Sequence, residues 1–544
     1  MAVTDFSSQA PEGSQQEPVP DVPPKSLRDR LVPAMPGSVL WGWLAPIAVA
    51  LFGAVLRFSQ LGQPKAIVFD ETYYAKGAWS LLNFGVERKA LGTGEDPIAD
   101  RMLMNGQTGI WEQCSPPTAA PCPDYVVHPP LGKWMIGAGE WLFGMNPYGW
   151  RFAAALVGAL SILILARVAR RMTRSTVLGC LAGLLLALDG LHFVLSRTAL
   201  LDVFLMFWVL AGFACLVADR EAARARLVAW YESSPIGDEG PWLGWRPWRL
   251  AAGACLGAAC AVKWSAIFFL VAFAIMSLLW DAGARRAVGL RRPYLGAFHH
   301  DLPTGLSAMA LTPAVVYTVS WTGWFTSALG YGRNWDQAVS GGPFYFVFDS
   351  LRSWVQYQLQ ALSFHGDLVS KHPYQSEPWE WPLLLRPVAF FYESPPNACG
   401  TQNCSQAMLG VGTPVIWFAS LVALVAMIAW YVSSRDWRAG AVLLGYAAGW
   451  LPWFAFAVLN NRTMFLFYMA PVIPFMVLAL VLACGLLIGR PDASPRRHMV
   501  GAALTGALAL LALANFWWLH PVLAAEIIPY DDWHARMLFK KGWI

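Results

Sequence analysis

Apolar runs long enough to cross a lipid bilayer recur from one end of this 544-residue chain to the other. A hydrocarbon core about 30 Å thick needs roughly 20 mainly apolar residues in a helix. The chain is 56% hydrophobic and 13% charged, whereas soluble domains contain roughly 45–50% and 25%. The sequence therefore predicts an all-α polytopic membrane protein with about eleven transmembrane helices. The predicted spans are 39–58, 152–171, 176–195, 199–218, 248–262, 264–280, 304–321, 411–432, 440–458, 464–488 and 499–519.

The positions of arginine and lysine predict how these helices are oriented. Cytoplasmic loops of membrane proteins are enriched in both residue types. If the N-terminus is inside, the inner loops and the N-terminal segment carry more than half of the chain's 39 basic residues. This bias places the N-terminus in the cytoplasm and the C-terminus outside. The densest basic groups are Arg167, Arg170, Arg171 and Arg174, and then Arg285, Arg286, Arg291 and Arg292.

Polar segments flank the predicted membrane domain of residues 39–519. Residues 1–38 are rich in Pro, Ser, Gln and Glu and show no apolar periodicity, so we expect a disordered cytoplasmic tail. Residues 520–544 are expected to form an extracytoplasmic tail. Two long outer loops remain, 59–150 and 322–410, and long ordered loops are usually functional. The small net charge of +5 and the lack of a basic stripe argue against a nucleic-acid partner.

An acidic pair, Asp70 and Glu71, occurs early in the first outer loop. The apolar residues that follow fall on one helical face, and Gly85 is the expected C-cap, which predicts a short amphipathic helix at the membrane interface. Aspartate is a favoured N-cap and acidic residues suit a first helical turn, so capping alone could explain the pair. The alternative is a catalytic base or a ligand for a divalent cation.

His128 and Lys133 lie near the end of the same loop, on either side of Pro129 and Pro130. The two prolines disfavour a helix before them and restrict the chain direction, which predicts a rigid turn at His128. Residues 131–144 are apolar but too short to span, so we expect an interfacial helix there. His128 is either an ordinary exposed residue or, together with Lys133, a contact for an anionic group.

Charged residues occur at the outer ends of several predicted spans, namely Arg151, Arg197, Asp202 and Lys263. Charges at membrane depth are costly and mark functional sites by default. Arg151 and Lys263 could instead extend to the interface along their aliphatic stems, and Arg197 with Asp202 could form a structural ion pair. If Arg151, Arg197 and Lys263 converge on one outer face, they would suit a lipid phosphate.

A short stretch of the second outer loop contains His372, Tyr374, Trp379 and Trp381. Tryptophan and tyrosine are common anchors at membrane interfaces, which is one explanation of the stretch. Aromatic side chains that alternate with histidine and glutamate also form a good surface for recognising a sugar or a peptide. The four residues are therefore candidate contacts for a donor or an acceptor.

The nine cysteines fall into two groups. Five lie in apolar spans and are interpreted as packing residues. The other four are close neighbours in the outer loops, where an extracytoplasmic compartment permits disulfides. We expect the bridges Cys114–Cys122 and Cys399–Cys404, with four free thiols as the alternative.

Taken together, these motifs resemble the protein O-mannosyltransferase family. They occur in the family's order and membrane context, and the resemblance covers nearly the whole chain after residue 38. The chain is similar to bacterial members of actinobacterial type, because the second outer loop lacks the large soluble insert of eukaryotic members. The motifs are Phe69-Asp70-Glu71, His128-Pro129-Pro130-Leu131-Gly132-Lys133, Ser196-Arg197 with Leu201-Asp202, Val262-Lys263-Trp264, His372-Pro373-Tyr374 with Trp381-Pro382, and Phe467-Tyr468-Met469-Ala470-Pro471-Val472-Ile473-Pro474.

This resemblance implies a GT-C fold and a polyprenyl-phosphate mannose donor. The implied reaction transfers mannose to Ser or Thr hydroxyls of secreted, Ser/Thr/Pro-rich proteins, with inversion, on the outer face of the plasma membrane. The secretion machinery is a candidate further partner. The family's acidic pair is catalytic, which makes Asp70 the expected base and Glu71 its neighbour. Arg151, Lys263 and Arg197 are the expected ligands of the donor phosphate.

Two other functions and one cofactor stay open at this point. Another GT-C enzyme could move a sugar from a lipid phosphate to a glycan or a lipid. A transporter is disfavoured, because the sequence shows no internal repeat and its informative charges lie in outer loops and at outer span ends. The sequence shows no required cofactor and no phosphate-binding glycine pattern. Asp70, Glu71 and His128 could collect a divalent cation, although their spacing does not demand one.

We predict that residues 1–38 are accessible only from the cytoplasm and residues 520–544 only from outside. Single cysteines at position 14 or 531 of a cysteine-free variant, treated with a membrane-impermeant maleimide on intact cells and on inverted vesicles, test this orientation. The first site should react only in inverted vesicles and the second only in intact cells. Labelling of the C-terminal site from the cytoplasmic side alone would contradict the eleven-span topology.

Overall fold

The computed structural model describes residues 26–92, 96–114, 121–233, 237–333, 335, 345–539 and 543–544. These residues are mainly helical. The helices are α1 (Leu27–Leu31), α2 (Trp41–Phe58), α3 (Glu71–Phe84), α4 (Ile98–Met104), α5 (Leu131–Phe143), α6 (Pro147–Thr173), α7 (Thr176–Ala187), α8 (Gly190–Leu195), α9 (Leu201–Ser233), α10 (Pro247–Val262), α11 (Ala266–Ala287), α12 (Pro293–Gly296), α13 (Leu302–Leu306), α14 (Thr312–Ser320), α15 (Thr322–Thr326), α16 (Tyr345–Asp367), α17 (Pro414–Ser434), α18 (Trp437–Trp450), α19 (Pro452–Asn460), α20 (Ile473–Ile488), α21 (Pro495–Leu523) and α22 (Tyr530–Ala535).

Short helical pieces of other types extend some of these helices. The π-helical segments Ala297–Asp301 and Ser307–Leu311 join α12, α13 and α14 into one run. A 3₁₀ segment, Leu466–Val472, leads directly into α20, and another covers Trp381–Leu383. Within the described residues, nine runs are long and apolar enough to cross a membrane, and α7 and α10 are shorter apolar helices. The total agrees with the prediction of about eleven spans.

Two predicted spans differ in extent from the observed helices. The span predicted at 176–195 is divided, because α7 ends at Ala187 and Asp189 starts α8 by accepting the backbone N–H of His192 at 2.9 Å. The span predicted at 199–218 corresponds to α9, which continues to Ser233. Hydropathy detects only the apolar part of such a helix, since its charged continuation extends past the hydrocarbon core.

The described part of the predicted disordered tail, residues 26–38, contains the short helix α1. Ser26 caps α1 by accepting the N–H of Asp29 at 3.1 Å, and Leu31 is buried against the inner part of α9. Arg28 also pairs with Glu232 of α9 at 2.6 Å. The residues of α9 that contact this short helix are distant in sequence, so the local composition did not reveal the contact. Residues 1–25 of the predicted tail lie outside the described residues.

A small antiparallel sheet, which the all-α prediction missed, joins the C-terminal segment to the second outer loop. Its strands are β1 (Val388–Glu393), β2 (Cys404–Gly410) and β3 (Ile527–Pro529), in the order β1-β2-β3. In the β2–β3 register, Cys404 lies opposite Pro529. Because β3 belongs to the predicted C-terminal tail, that tail lies on the same side of the membrane as the second outer loop.

Two disulfides tie down the outer loops. One joins Cys114 to Cys122, with Cα atoms 5.0 Å apart, and the other joins Cys399 to Cys404 across the β1–β2 connection, with Cα atoms 5.9 Å apart. Both pairings are the ones expected from the sequence. The remaining cysteines are free and lie in helices α7, α9, α10 and α20.

Candidate active site

Asp70 precedes α3 at a turn where the backbone of Phe69 takes a positive φ of 48°. It occupies the N-cap position, yet its carboxylate makes no capping hydrogen bond to the helix backbone. That carboxylate is half-buried, and the nearby Tyr74 hydroxyl acts to lower its pKa. The interpretation of Asp70 as a helix cap is therefore wrong, and its carboxylate is available to a ligand.

Glu71 points in the other direction, into the protein. Its carboxylate forms a two-point ion pair with Arg151, with Nε–Oε1 and Nη2–Oε2 distances of 2.8 and 2.9 Å. Both side chains are fully buried. The backbone N–H groups of Val68 and Ala199 donate to the same carboxylate at 2.9 and 3.0 Å. Glu71 thus joins the Asp70 turn to α6 and to the start of α9, and the expectation that it is a catalytic carboxylate beside Asp70 is not met by this geometry.

Arg151 cannot serve as the expected phosphate ligand in this arrangement. Its Nη1 donates to the carbonyls of Leu61 and Pro64 at 3.4 and 2.9 Å, and its Nη2 also donates to the carbonyl of Ala66 at 2.8 Å. With the two bonds to Glu71, every N–H of the guanidinium has an acceptor inside the protein. This geometry leaves no N–H of Arg151 without a protein acceptor, and Arg151 fixes the chain between α2 and α3.

Arg197 is also occupied by the protein. Its Nη1 donates to the carbonyls of Arg57 and Ser59 at 2.9 and 2.6 Å, and its Nη2 donates to that of Gln60 at 3.1 Å. The last carbonyls of a helix lack intrahelical partners, and a cation there is favourable. Arg197 therefore caps the C-terminus of α2 and is 1% exposed, and only its Nε lacks a partner among the described residues.

Lys263 follows the end of α10 and meets the first turn of α9. Its Nζ lies 2.8 Å from Asp202 Oδ2, and both side chains are mostly buried. The ammonium also lies 5.8 and 5.5 Å from the ring centroids of Phe467 and Tyr468. It is close enough to Asp70 to act on the pKa of that carboxyl. One N–H of the ammonium is used by Asp202, which leaves donors for a ligand.

Lys133 supports the His128 turn and does not face the site. Its Nζ pairs with Glu87 Oε1 at 2.6 Å and also donates to the backbone carbonyl of His128 at 3.2 Å. The side chain is 2% exposed. The expectation of a direct donor contact from Lys133 is corrected by this burial, which gives Lys133 a positioning role.

His128 itself lies at the site, in contact with two residues that sequence reasoning missed. Its ring centroid is 6.1 Å from that of Tyr74 and 5.1 Å from that of His365. His365 Nε2 lies 3.0 Å from the carbonyl of Val127, and its Nδ1 lies 3.4 Å from Nη2 of Arg462. Among the described residues, His128 Nδ1 is buried without a hydrogen-bond partner. A polar ligand beside His128 would therefore satisfy that nitrogen.

Arg462 is the cation of the site that the sequence analysis overlooked. It lies between α19 and the 3₁₀ segment, over the rings of Trp453 and Phe456 at 5.8 and 5.9 Å. In the part of the chain that the structure describes, its guanidinium forms no ion pair with a carboxylate, and its Nε has no acceptor. A signal was present in the sequence, since a lone arginine in a short outer loop runs against the inner bias of basic residues.

The second outer loop closes the site on the Phe69 side. The His372 ring lies 5.9 Å from Phe69 and 5.7 Å from Tyr374, so these two candidates adjoin the Asp70 turn. Trp379 is 50% exposed and Trp381 only 1%. Trp381 donates to the Ser376 hydroxyl at 3.0 Å, and in this structure it is a buried core residue that does not face the site surface.

Burial and neighbouring charges set the protonation states around the site. Burial raises the pKa of the Asp70 carboxyl to about 6, and the Lys263 ammonium limits that rise. Burial, reinforced by nearby cations, holds the pKa of His128 well below its ordinary value. Burial also lowers the pKa of His365 to about 4. Both histidines are therefore neutral at pH 7, and the positive charge of the site comes from Lys263 and Arg462.

Asp70, Glu71 and His128, which were considered as ligands of a divalent cation, are not arranged as a set of metal ligands in this structure. Across the described ranges, no group of three or more His, Cys, Asp or Glu side chains is arranged to hold a metal ion. Glu71 accepts four hydrogen bonds from Arg151, Val68 and Ala199. It is consequently unable to turn toward Asp70 without leaving a buried arginine unpaired.

The resulting site combines one accessible carboxylate with cations and neutral histidines at the outer ends of a helical membrane bundle. A carboxylate can take a proton from a hydroxyl, and cations can stabilise a departing phosphate. The helical membrane bundle and this combination of groups are those of a glycosyltransferase of the GT-C class.

Comparisons with known proteins identify the family. Residues 47–318 match the family described as dolichyl-phosphate-mannose-protein mannosyltransferase, and residues 350–543 match the C-terminal four-transmembrane region of protein O-mannosyltransferase. The polyprenol-phosphate-mannose–protein mannosyltransferase of Mycolicibacterium smegmatis is 38% identical over 508 residues, 91% of this chain and 92% of that protein. The Corynebacterium glutamicum protein of the same name is 30% identical over 534 residues, 96% and 95% of the two chains. The chain belongs to the protein O-mannosyltransferase family.

A solved structure supports the fold assignment. The Saccharomyces cerevisiae protein O-mannosyltransferase Pmt1-Pmt2 complex, bound to its sugar donor, superimposes with a TM-score of 0.68 at 15% sequence identity. The match covers 95% of this chain and 94% of the yeast chain. The shared architecture confirms the GT-C fold expected from the motifs.

We predict that the Glu71–Arg151 pair stabilises the folded protein. Replacing one partner alone should destabilise the protein more than replacing both. Arg151→Met leaves a buried carboxylate unpaired, which costs about 3–5 kcal/mol. The double variant Arg151→Met/Glu71→Leu should therefore melt at a higher temperature than Arg151→Met alone. Thermal unfolding in detergent measures the melting temperatures of both variants. Lys89→Met, which breaks the more exposed Lys89–Glu112 pair, should cost only about 0–1 kcal/mol, and an equal loss in Arg151→Met would contradict the account.

Proposed function

We propose that this chain transfers mannose from a polyprenyl-phosphate donor to Ser or Thr hydroxyls of secreted proteins, with inversion at the anomeric carbon. The observation that carries the proposal is the Asp70 carboxylate, which caps no helix and lies beside Lys263 at the outer end of the bundle. The relatives from Mycolicibacterium and Corynebacterium carry this donor and acceptor type in their names.

Asp70 is the proposed general base. A neutral Ser or Thr hydroxyl is a poor nucleophile, so a carboxylate within about 2.6–3.2 Å should take its proton as the new bond forms. The acceptor oxygen attacks the anomeric carbon of mannose from the side opposite the phosphate, and the bond from that carbon to the phosphate oxygen breaks. One displacement of this kind inverts the anomeric centre.

Lys263 and Arg462 are the proposed ligands of the donor phosphate. The electron pair of the broken bond stays on the phosphate oxygen, so the leaving polyprenyl phosphate gains one negative charge. Cations aimed at that oxygen lower the barrier, and a phosphate that is stable as an anion needs no general acid. Arg462 supports this role best, because Lys263 is already partly neutralised by Asp202. His128, whose Nδ1 is buried without a partner among the described residues, is proposed to bond to the donor.

Glu71 and Arg151 are proposed to act as positioning residues. They hold the loop between α2 and α3, and this loop carries Asp70 at its end. Productive proton transfer needs hydrogen-bond distance, so a shift of about 1 Å in this loop would cost much of the rate. Loss of either residue should therefore lower turnover without removing a group that touches the substrate.

We place the proposed site on the outer side of the plasma membrane. The N-terminal segment would be cytoplasmic, and acceptors would reach the site through the secretion machinery. The enrichment of basic residues in the opposite loops supports this orientation. His372 and Tyr374, which adjoin the Asp70 turn, and the half-exposed Trp379 are proposed acceptor or donor contacts.

Membranes that contain the protein should transfer labelled mannose from polyprenyl-phosphate mannose to a Thr/Pro-rich peptide. Asp70→Asn keeps the shape of the side chain but removes the base, and loss of general-base catalysis should lower turnover by about 10²–10⁴-fold. Asp96→Asn changes an exposed outer-loop carboxylate and should leave turnover unchanged. Label on lipid or glycan instead of peptide, or near wild-type turnover in Asp70→Asn, would contradict the proposal.

Arg462→Gln should weaken donor binding. A hydrogen bond to a charged group contributes about 1.5–3 kcal/mol, so the dissociation constant should rise roughly tenfold or more. Arg462 is a cleaner test than Lys263, since removal of Lys263 also leaves Asp202 unpaired. Arg101→Gln, at an exposed arginine of the first outer loop, is the control. Titration of purified protein with polyprenyl-phosphate mannose measures both variants, and equal affinities for Arg462→Gln and wild type would rule out the assignment.

The pH dependence of kcat/KM should report the Asp70 carboxyl. Its pKa is raised to about 6 by burial, so the base is protonated and inactive below that pH and ionised above it. The rate should therefore fall as pH drops through about 6, instead of near the ordinary aspartate value of about 3.9. Lys263 lowers the pKa of Asp70, so Lys263→Gln should move the acidic limb to higher pH. A limb near pH 4, or one that Lys263→Gln does not move, would exclude Asp70 as the titrating base.

A further inference from the structure

A cavity of about 560 Å³ lies at the opposite end of the bundle from Asp70. Its wall contains part of the N-terminal segment together with the end of α6, the middle of α9 and the start of α18. The proposed active site lies near Arg151 at the start of α6, whereas the cavity includes Arg171 near the end of that helix. Twenty residues of α-helix separate the two by about 30 Å. Six arginines and one glutamate line the cavity: Arg30, Arg171, Arg174, Arg220, Arg224, Arg438 and Glu221.

Some of these arginines have protein partners. Arg171 pairs with Glu221, and Arg438 pairs with Asp436 at 2.8 Å. Arg174 donates to the backbone carbonyl of Pro33. These contacts hold the N-terminal segment and the α17–α18 connection in place around the cavity.

Arg220 and Arg224 differ from the others, because within the described residues neither forms an ion pair. Arg220 is 7% exposed, and its guanidinium stacks 3.7 Å from the ring centroid of Trp437. The Nε atoms of Arg220 and Arg224 are buried without an acceptor. A buried charge is costly unless it is paired. The general enrichment of arginine on the cytoplasmic side explains exposed arginines, but it does not explain two cations kept side by side in a cavity wall.

Two arginines at the start of α10 show how this chain neutralises buried arginines elsewhere. Arg246 pairs with Asp219 and with Asp281, the latter at 2.9 Å, and Arg249 pairs with the same two carboxylates. Asp219 immediately precedes Arg220 in α9 but is directed into that network. Arg220 and Arg224 are thus left facing the cavity with an excess of positive charge.

A second, smaller cavity of about 270 Å³ continues the first toward the lipid-facing surface. The two share Met35, Arg171 and Glu221. The smaller one is also lined by Arg167 and Arg170, and by Val39 and Trp43, which are 78% and 46% exposed at the start of α2. Together the cavities form a groove that is cationic along its length and bordered by exposed apolar side chains where α2 begins. That combination suits a phosphate joined to a hydrocarbon chain.

We propose that this groove binds the phosphate headgroup of an anionic phospholipid from the cytoplasmic leaflet. Arg220 and Arg224 would contact the phosphate oxygens, and the acyl chains would run past Val39 and Trp43. Guanidinium groups recognise phosphate through paired N–H donors. The site is independent of the proposed catalytic groups and lies at the other end of the bundle.

Native mass spectrometry of the full chain in neutral detergent tests the proposal. Dioleoyl phosphatidylglycerol, dioleoyl phosphatidylcholine and inorganic phosphate are titrated separately. We expect phosphatidylglycerol to bind with higher affinity than the other two probes. Arg220→Gln/Arg224→Gln should weaken its binding about tenfold or more, since charge-assisted contacts are lost. Arg291→Gln/Arg292→Gln removes the same charge from exposed residues on the same face and should leave the affinity unchanged.

Each alternative result would overturn the proposal. Equal binding of phosphatidylglycerol by wild type and the cavity variant would exclude the site, as would an equal loss in the Arg291/Arg292 control. Binding of inorganic phosphate in preference to phosphatidylglycerol would identify a soluble anion as the ligand. If the double variant fails to fold, as judged by thermal unfolding, Arg224→Gln alone serves, because Arg224 is less buried than Arg220 and lacks the stacking contact.

Discussion

The buried ion pair between Glu71 and Arg151 is the interaction on which the outer site depends. It joins the loop after α2 to α6 and, through the Ala199 N–H, to the start of α9. Arg151 also holds the carbonyls of Pro64 and Ala66. Because adjacent side chains at this turn point to opposite sides, the burial of Glu71 directs Asp70 toward the site. Burying the Glu71–Arg151 pair costs desolvation energy. In return, the pair fixes the position of the neighbouring Asp70 carboxylate.

The hydrogen-bond partners of each basic residue indicate which cations can contact a donor phosphate. Five basic residues cluster near the outer helix ends, yet Arg151, Lys133 and the Nη groups of Arg197 donate to protein carbonyls and carboxylates. Lys263 and Arg462 retain donors for a ligand. Both nearby histidines are kept neutral, because burial and these two cations lower their pKa values. The positive charge available for a departing phosphate is therefore that of Lys263 and Arg462.

The sequence predicted the membrane architecture well because hydropathy and helix length are local properties. It also indicated Asp70, His128 and Lys263, each from a motif beside a span. The sequence could not distinguish ligand-binding arginines from structural ones. An arginine at the outer end of a span, such as Arg151 or Arg197, is expected in both roles. Their partners, Glu71 and the carbonyls after α2, lie far away along the chain. The sheet formed by β1, β2 and β3 was missed for the same reason, because β3 pairs across more than one hundred residues.

An experimental structure of the protein in a lipid nanodisc with polyprenyl-phosphate mannose tests the central claim most directly. The account predicts that the donor phosphate lies within about 4 Å of Lys263 Nζ and the Arg462 guanidinium, the distance of an ion pair. The anomeric carbon should face Asp70, and Arg151 should stay on Glu71. A phosphate bound by Arg151 or Arg197, with Glu71 turned toward the sugar, would contradict the separation of positioning and ligand-binding charges.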